Sequence, residues 1–132
     1  MSYSVYQLNL PQNPEAVIFI NGFLARDRCG FLWMWRKILW IKKITASSEG
    51  CMQVKAGICS PNEFVMVSYW LSENNLKRFF SSEPHRQMMK FVTKNQESLC
   101  LYNETYRPSN RGKYINEPQG MATIYERDLK SR

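Results

Sequence analysis

Histidine is nearly absent from this chain: His85 is the only one in 132 residues. A single imidazole argues against a structural Cys/His metal site. The four cysteines (Cys29, Cys51, Cys59, Cys100) nowhere form a C-x-x-C pair and are too widely spaced for a zinc knuckle. Long apolar runs are missing too. The longest uninterrupted ones, Ala16 to Ile20 and Phe31 to Trp35, have five residues each, far below the roughly 20 residues of a membrane-spanning helix. The opening stretch MSYSVYQLNLPQNPE has no basic n-region, apolar core or small-residue cleavage site, so no secretory leader is expected and a cytoplasmic location follows. There is no G-x-G-x-x-G, no P-loop and no G-x-S-x-G, which removes the common nucleotide-binding and serine-hydrolase readings. Internal repeats and low-complexity segments are also lacking.

What is present is hydrophobic and basic. A content of 44% hydrophobic and 14% aromatic residues is that of a folded chain, and the length suits one domain. The net charge of +7 is spread from Arg26 to Arg132 with no block of five or six like charges. No helix-turn-helix, zinc-finger or aromatic RNA-binding pattern accompanies it, so a solvated basic surface is expected rather than a nucleic-acid partner. The cysteines are expected to be mostly buried, reduced thiols.

The order of elements is legible. EAVIFINGF (15–23) is β-rich, and RCGFLWMWRKILWIKKI (28–44) has helical period and is followed by a stop at Gly50. CMQVKAGICS alternates, placing Met52, Val54, Ala56 and Ile58 on one face. The turn SPNE then leads into FVMVSYWL, which predicts a hairpin. Ser72 is a good N-cap for a short helix carrying Leu76, Phe79 and Phe80, and Pro84 starts a second helix with Met88, Met89 and Val92 at helical spacing. SLCLYNETY is the last strand, with Leu99, Leu101, Asn103 and Thr105 opposing Cys100, Tyr102, Glu104 and Tyr106. This predicts an α+β fold: a ferredoxin-like β-α-β-β-α-β protomer with one antiparallel sheet. Residues 1–14 read as an N-terminal arm, 15–106 as the domain and 107–132 as a turn-rich tail packing on the domain or its dimer. The sheet face away from the helices is too apolar to stay wet, so a two-fold homodimer with sheets packed together is expected.

VSYWLSENNLKRFFSSEPHRQMMKF resembles the strand-to-helix passage of the dimeric α/β-barrel superfamily, which includes antibiotic-biosynthesis and haem-degrading monooxygenases. Trp70, Leu76, Pro84-His85, Glu104-Thr105-Tyr106, Tyr114 and Gly120 resemble, in order and spacing, an uncharacterised monooxygenase-like family over roughly residues 15 to 120. Asn103 departs from that family, which usually carries histidine there. The resemblance implies a cavity between sheet and helices for a small apolar or aromatic ligand. Haem-degrading relatives use an asparagine on the first strand, which Asn21 matches. They also use a tryptophan and a haem-ligating histidine, where this chain has Phe79 and Met89, so haem degradation by that route is disfavoured.

Candidate catalytic residues are His85, Asn21 and Glu104. His85 is the sole imidazole for acid–base work, or for a haem if one binds. Its structural alternative is a capping role beside Pro84. For Glu104 the alternative is an ion pair with Arg78, Arg86 or Arg107. Candidate ligand-binding residues are Trp70, Tyr69, Phe79, Tyr102 and Tyr106, with packing as the alternative for the strand aromatics. The functional expectation is a monooxygenase-like protein, using haem or no cofactor. A non-catalytic ligand- or haem-binding sensor is the alternative, as is a peripheral membrane or partner-binding protein using the Trp-rich basic first helix.

On that helix, at 100° per residue, Phe31, Met34, Trp35, Ile38 and Ile41 form the predicted sheet-facing stripe, flanked by Leu32 and Leu39. Trp33, Trp40 and Ile44 fall opposite among Arg36, Lys37 and Lys43. The arm or the tail is the first expectation for what covers them, then a dimer or partner, then a membrane surface.

Overall fold

The computed structural model describes residues 3–109, 111–125 and 127–131. Its elements run β1 (Val5–Leu8), β2 (Val17–Ala25), α1 (Arg28–Ala46), β3 (Cys51–Ser60), β4 (Glu63–Trp70), α2 (Glu73–Phe80), α3 (Glu83–Lys94), β5 (Leu99–Tyr106), β6 (Lys113–Ile115), a 3-10 turn (Gly120–Thr123) and β7 (Arg127–Ser131). The main sheet has strand order β3-β4-β2-β5, antiparallel throughout. Counted from β2, this is the predicted ferredoxin-like β-α-β-β-α-β arrangement.

Local chemistry sets the boundaries. The Asp27 carboxylate accepts from Gly30 N at 2.8 Å and from the Ser98 hydroxyl at 2.9 Å, capping α1 and tying its start to the turn before β5. Ser72 Oγ accepts from Asn75 N at 3.2 Å to open α2, as expected. Ser82 does the same for α3, with Pro84 in its first turn.

Strand alternation puts Val17, Phe19, Asn21 and Phe23 of β2 under the helices, beside Phe64, Met66, Ser68 and Trp70 of β4, all buried. Two clusters result. Phe23, Met34, Ile38, Ile41, Phe64, Met66 and Met88 join α1 and α3 to the sheet, and Val17, Phe19, Trp70, Leu76 and Phe79 lie under α2. Trp70 is fully buried. Its indole N–H donates to Ser68 Oγ at 2.8 Å, and that hydroxyl donates on to the Phe19 carbonyl at 3.4 Å.

Two expectations are corrected. Met34, Ile38 and Ile41 of the predicted α1 stripe are buried, but with Gly30 and Thr45 in place of Phe31 and Trp35, a line rotated by roughly 40° from the predicted one at 100° per residue. Trp35, Leu32 and Leu39 are exposed, whereas Trp33 and Trp40 pack against the core. The cause is α3, which lies along that flank: Phe91 stacks on Trp33 with centroids 4.6 Å apart. Neither the arm nor the tail is needed as cover there. Second, three cysteines (Cys29, Cys59, Cys100) are exposed, since they sit in the first turn of α1, near the end of edge strand β3 and on the helix-free face of β5. Only Cys51 is partly buried, and desolvation pushes its thiol up to about 11. The segments read as arm and tail meet in a second antiparallel sheet, β6-β1-β7.

That second sheet and the 3-10 turn lie against the helix-free face of the main sheet. Leu8, Ala16, Met121 and Ala122 form a third cluster with Ile18, Tyr69 and Tyr114. Gly120 adopts φ +61°, and a Cβ there would press on the Tyr69 ring. Its N–H donates to Gln53 Oε1 at 2.6 Å, and Lys55 Nζ donates to Gln119 Oε1.

Candidate functional site

A small cavity lies between the helix-covered face of the sheet and α1, α2 and α3. Phe19, Asn21, Ile41, Thr45, Phe79, His85, Met88, Met89, Leu101 and Asn103 line it. Its volume is about 20 Å³, room for about one water molecule. Most of the wall is apolar, and the polar groups come from four elements, β2, α1, α3 and β5.

Asn21 and Asn103 are directly paired across β2 and β5, so both amides project from the same face. Asn21 is buried. Among the described residues no side chain satisfies either amide, yet no buried side-chain polar atom is left wholly shielded without a partner. Both amides therefore keep donor and acceptor capacity for the cavity. Thr45, on the last turn of α1, donates its hydroxyl to the Ile41 carbonyl at 2.7 Å, which leaves its oxygen lone pairs free to accept.

His85 enters from the first turn of α3, where its backbone N–H caps on Ser82 Oγ at 3.4 Å. Its ring is wedged between Phe79 and Phe80, each with its centroid 5.2 Å away. Burial pulls its pKa below the ordinary 6.5, with the Phe80 carbonyl pulling weakly the other way. The imidazole is thus neutral at pH 7 and able to take up a proton.

Of the residues singled out from the sequence, the structure brings Asn21, His85 and Phe79 together here. Trp70 stands behind Phe79, with ring centroids 5.3 Å apart, and supports the wall without lining it. Glu104, Tyr102, Tyr106 and Tyr69 lie on the other face of the sheet. There Tyr106 donates its hydroxyl to Glu104, which raises the Tyr106 pKa. The expected ion pair of Glu104 is absent among the described residues. Arg107 instead binds Glu73 at 2.7 Å and Arg86 faces Glu83 at 3.9 Å, because Glu104 projects away from the helices that carry those arginines' partners.

Ile41, Thr45, Met88 and Leu101 were not foreseen as lining. Asn103 was noticed only for departing from a family pattern. Pairing the first and last strands of the ferredoxin-like order in register would have set it opposite Asn21. At the two positions that the resemblance aligns with a tryptophan and a haem-ligating histidine the cavity wall carries Phe79 and Met89, whose side chains offer iron no nitrogen ligand.

No curated protein sequence matches the chain. Solved structures do match in fold. SnoaB, a cofactor-independent oxygenase from Streptomyces nogalater, superposes with TM-score 0.57 at 11% identity, over 73% of this chain and 95% of that one. A Deinococcus radiodurans protein provisionally classed as an antibiotic biosynthesis monooxygenase gives 0.59 at 12%, over 70% and 93%. Protein SO0527 from Shewanella oneidensis gives 0.60 at 12%, over 88% and 100%. These likenesses establish a common fold. A profile of the monooxygenase af470-like family matches residues 17–122, which takes in both cavity asparagines and His85, and the chain belongs to that family.

Proposed function

We propose that this monooxygenase-like protein binds a small apolar or aromatic molecule between the sheet and α1–α3, with Asn21, Asn103 and His85 as its polar contacts. The observation that carries this reading is a pair of uncommitted amides, Asn21 buried and Asn103 exposed, lining the same apolar-walled cavity as a neutral imidazole. A ring compound with an acidic CH2 beside a carbonyl suits that set. His85 takes a proton from the CH2, and the amide N–H groups donate to the enolate oxygen, where they act best in a dry site. The enolate carbon then reduces O2, so that CH2 and O2 become C=O and H2O and the substrate supplies the electrons.

A ligand of that size needs more room than one water occupies. α3 is the wall most able to give way, since Met88 is its only buried residue and Met88 and Met89 are pliable side chains. We further propose that two copies pair through the helix-free sheet face, where Tyr102 and Tyr106 are exposed, and that the protein works in the cytoplasm.

With 2-tetralone as the probe, the expected results are a rise in melting temperature and O2 uptake. Asn21→Ala would weaken binding about tenfold, as for one lost hydrogen bond to a charged group, while His85→Gln would bind the probe without consuming O2. Neither stabilisation nor uptake with 2-tetralone or 1-naphthol would overturn the reading. Sedimentation at rising concentration tests pairing, with Tyr102→Glu expected to yield the monomer.

A further inference from the structure

Once the packed residues of α1 are set aside, the remaining arc is ordered. At 100° per residue it runs Lys42, Trp35, Arg28, Leu39, Leu32, Lys43, Arg36, all exposed. Trp35, Leu39 and Leu32 hold the centre, Arg28 shares that arc at the N-terminal end of the helix, and Lys42 on one side and Lys43 and Arg36 on the other flank it. Leu39 is 77% exposed, Leu32 51% and Trp35 43%. Trp35 is held in place, since its indole N–H donates to the Pro61 carbonyl at 3.0 Å and its ring meets Phe64 edge-on at 4.8 Å. Ile58, paired with Phe64 on the same face of the edge strand, is 61% exposed and extends the patch.

α1 carries five basic residues and no acidic one. Among the described residues none of those five is in a salt bridge. The carboxylate at the helix start, Asp27, is occupied by Gly30 and Ser98.

We propose that this face of α1, centred on Leu32, Trp35 and Leu39, docks on an anionic phospholipid surface. Leucine and tryptophan tips enter the headgroup boundary while the flanking lysines and arginines extend to lipid phosphates. The charge pattern selects this occupant. A second copy meeting the stripe across a two-fold axis would set like charges against one another. The stripe is also the convex ridge of one helix, offering no pocket for a protein anchor, whereas a bilayer requires none. The ridge lies on the side of α1 away from Ile41 and Thr45, so docking leaves the cavity wall intact.

The test is flotation of the full chain with phosphatidylcholine vesicles, with and without phosphatidylserine. Binding is expected to the serine-containing vesicles only, to weaken with salt, and to shift tryptophan emission to the blue. Leu32→Asp/Leu39→Glu should lower the partition coefficient about tenfold or more, as should Lys42→Glu/Lys43→Glu, because apolar insertion and each basic residue contribute separately. Both pairs are exposed, so far-ultraviolet circular dichroism should remain that of the parent. The proposal is overturned by no binding to either vesicle, by equal binding of the Leu32/Leu39 variant, or by concentration-dependent self-association that the Leu32/Leu39 variant abolishes.

Discussion

The two faces of the main sheet are built from the same strands and differ in what encloses their polar groups. On the helix side, buried Asn21 and half-buried His85 sit in an apolar wall with exposed Asn103 beside them at the edge strand, and burial keeps the imidazole neutral. On the other side, Glu104, Tyr102 and Tyr106 are exposed along β5, and Tyr102 lies across Gly22, where a Cβ would collide with its ring. Aromatic and acidic residues look equally promising on both faces when read as letters. Chemistry at neutral pH favours the enclosed set, because a dry wall strengthens hydrogen bonds and shifts proton affinities while bulk water levels them.

The largest break in this contrast should come from Trp70→Ala. Removing a fully buried indole beside Phe79 is expected to cost about 3–5 kcal/mol, read as a lower urea midpoint. Tyr106→Phe on the exposed face should move the midpoint far less; an equal effect would mean that the faces do not differ as described.

A second, intermediate effect is in pH dependence. Because burial lowers the His85 pKa in the folded chain, its contribution to stability is present above pH 6.5. It declines as pH falls from there toward the folded value, since the unfolded chain takes the proton first. Tyr106 is the mirror case. Its raised folded pKa gives a contribution present below pH 10 and lost as pH rises through the folded value. Melting curves across pH should show His85→Gln flattening only the acid limb and Tyr106→Phe only the alkaline one.

The smallest effect is expected for Arg107→Ala. Its bond to Glu73 joins two exposed side chains and should contribute roughly 0–1 kcal/mol, fading with added salt. A larger loss would show that this contact anchors β5 to α2.

Much of this was legible in the residues. Ser72, Pro84 and the alternation of SLCLYNETY set element boundaries and strand faces through local stereochemistry, and those faces are the observed ones. The first helix shows where legibility stops. Its period is plain, but eight of its residues from Phe31 to Trp40 are hydrophobic enough to pack. Which arc is buried depends on where α3 lies. α3 stacks Phe91 on Trp33 and so leaves Leu32, Trp35 and Leu39 to solvent. Asn103 acquires its place in the cavity only through register with Asn21.

By itself, then, the sequence determined the kinds and order of the elements between residues 15 and 106 and the ferredoxin-like class, because capping, alternation and helical period act over a few neighbouring residues. Only the tertiary structure decided which flank of α1 is covered, which face of the sheet holds the cavity and that β1 pairs with β6 and β7. Those outcomes rest on contacts between residues as far apart as Val5 and Ile115, and their free energy comes from burying apolar surface jointly, which no local window contains.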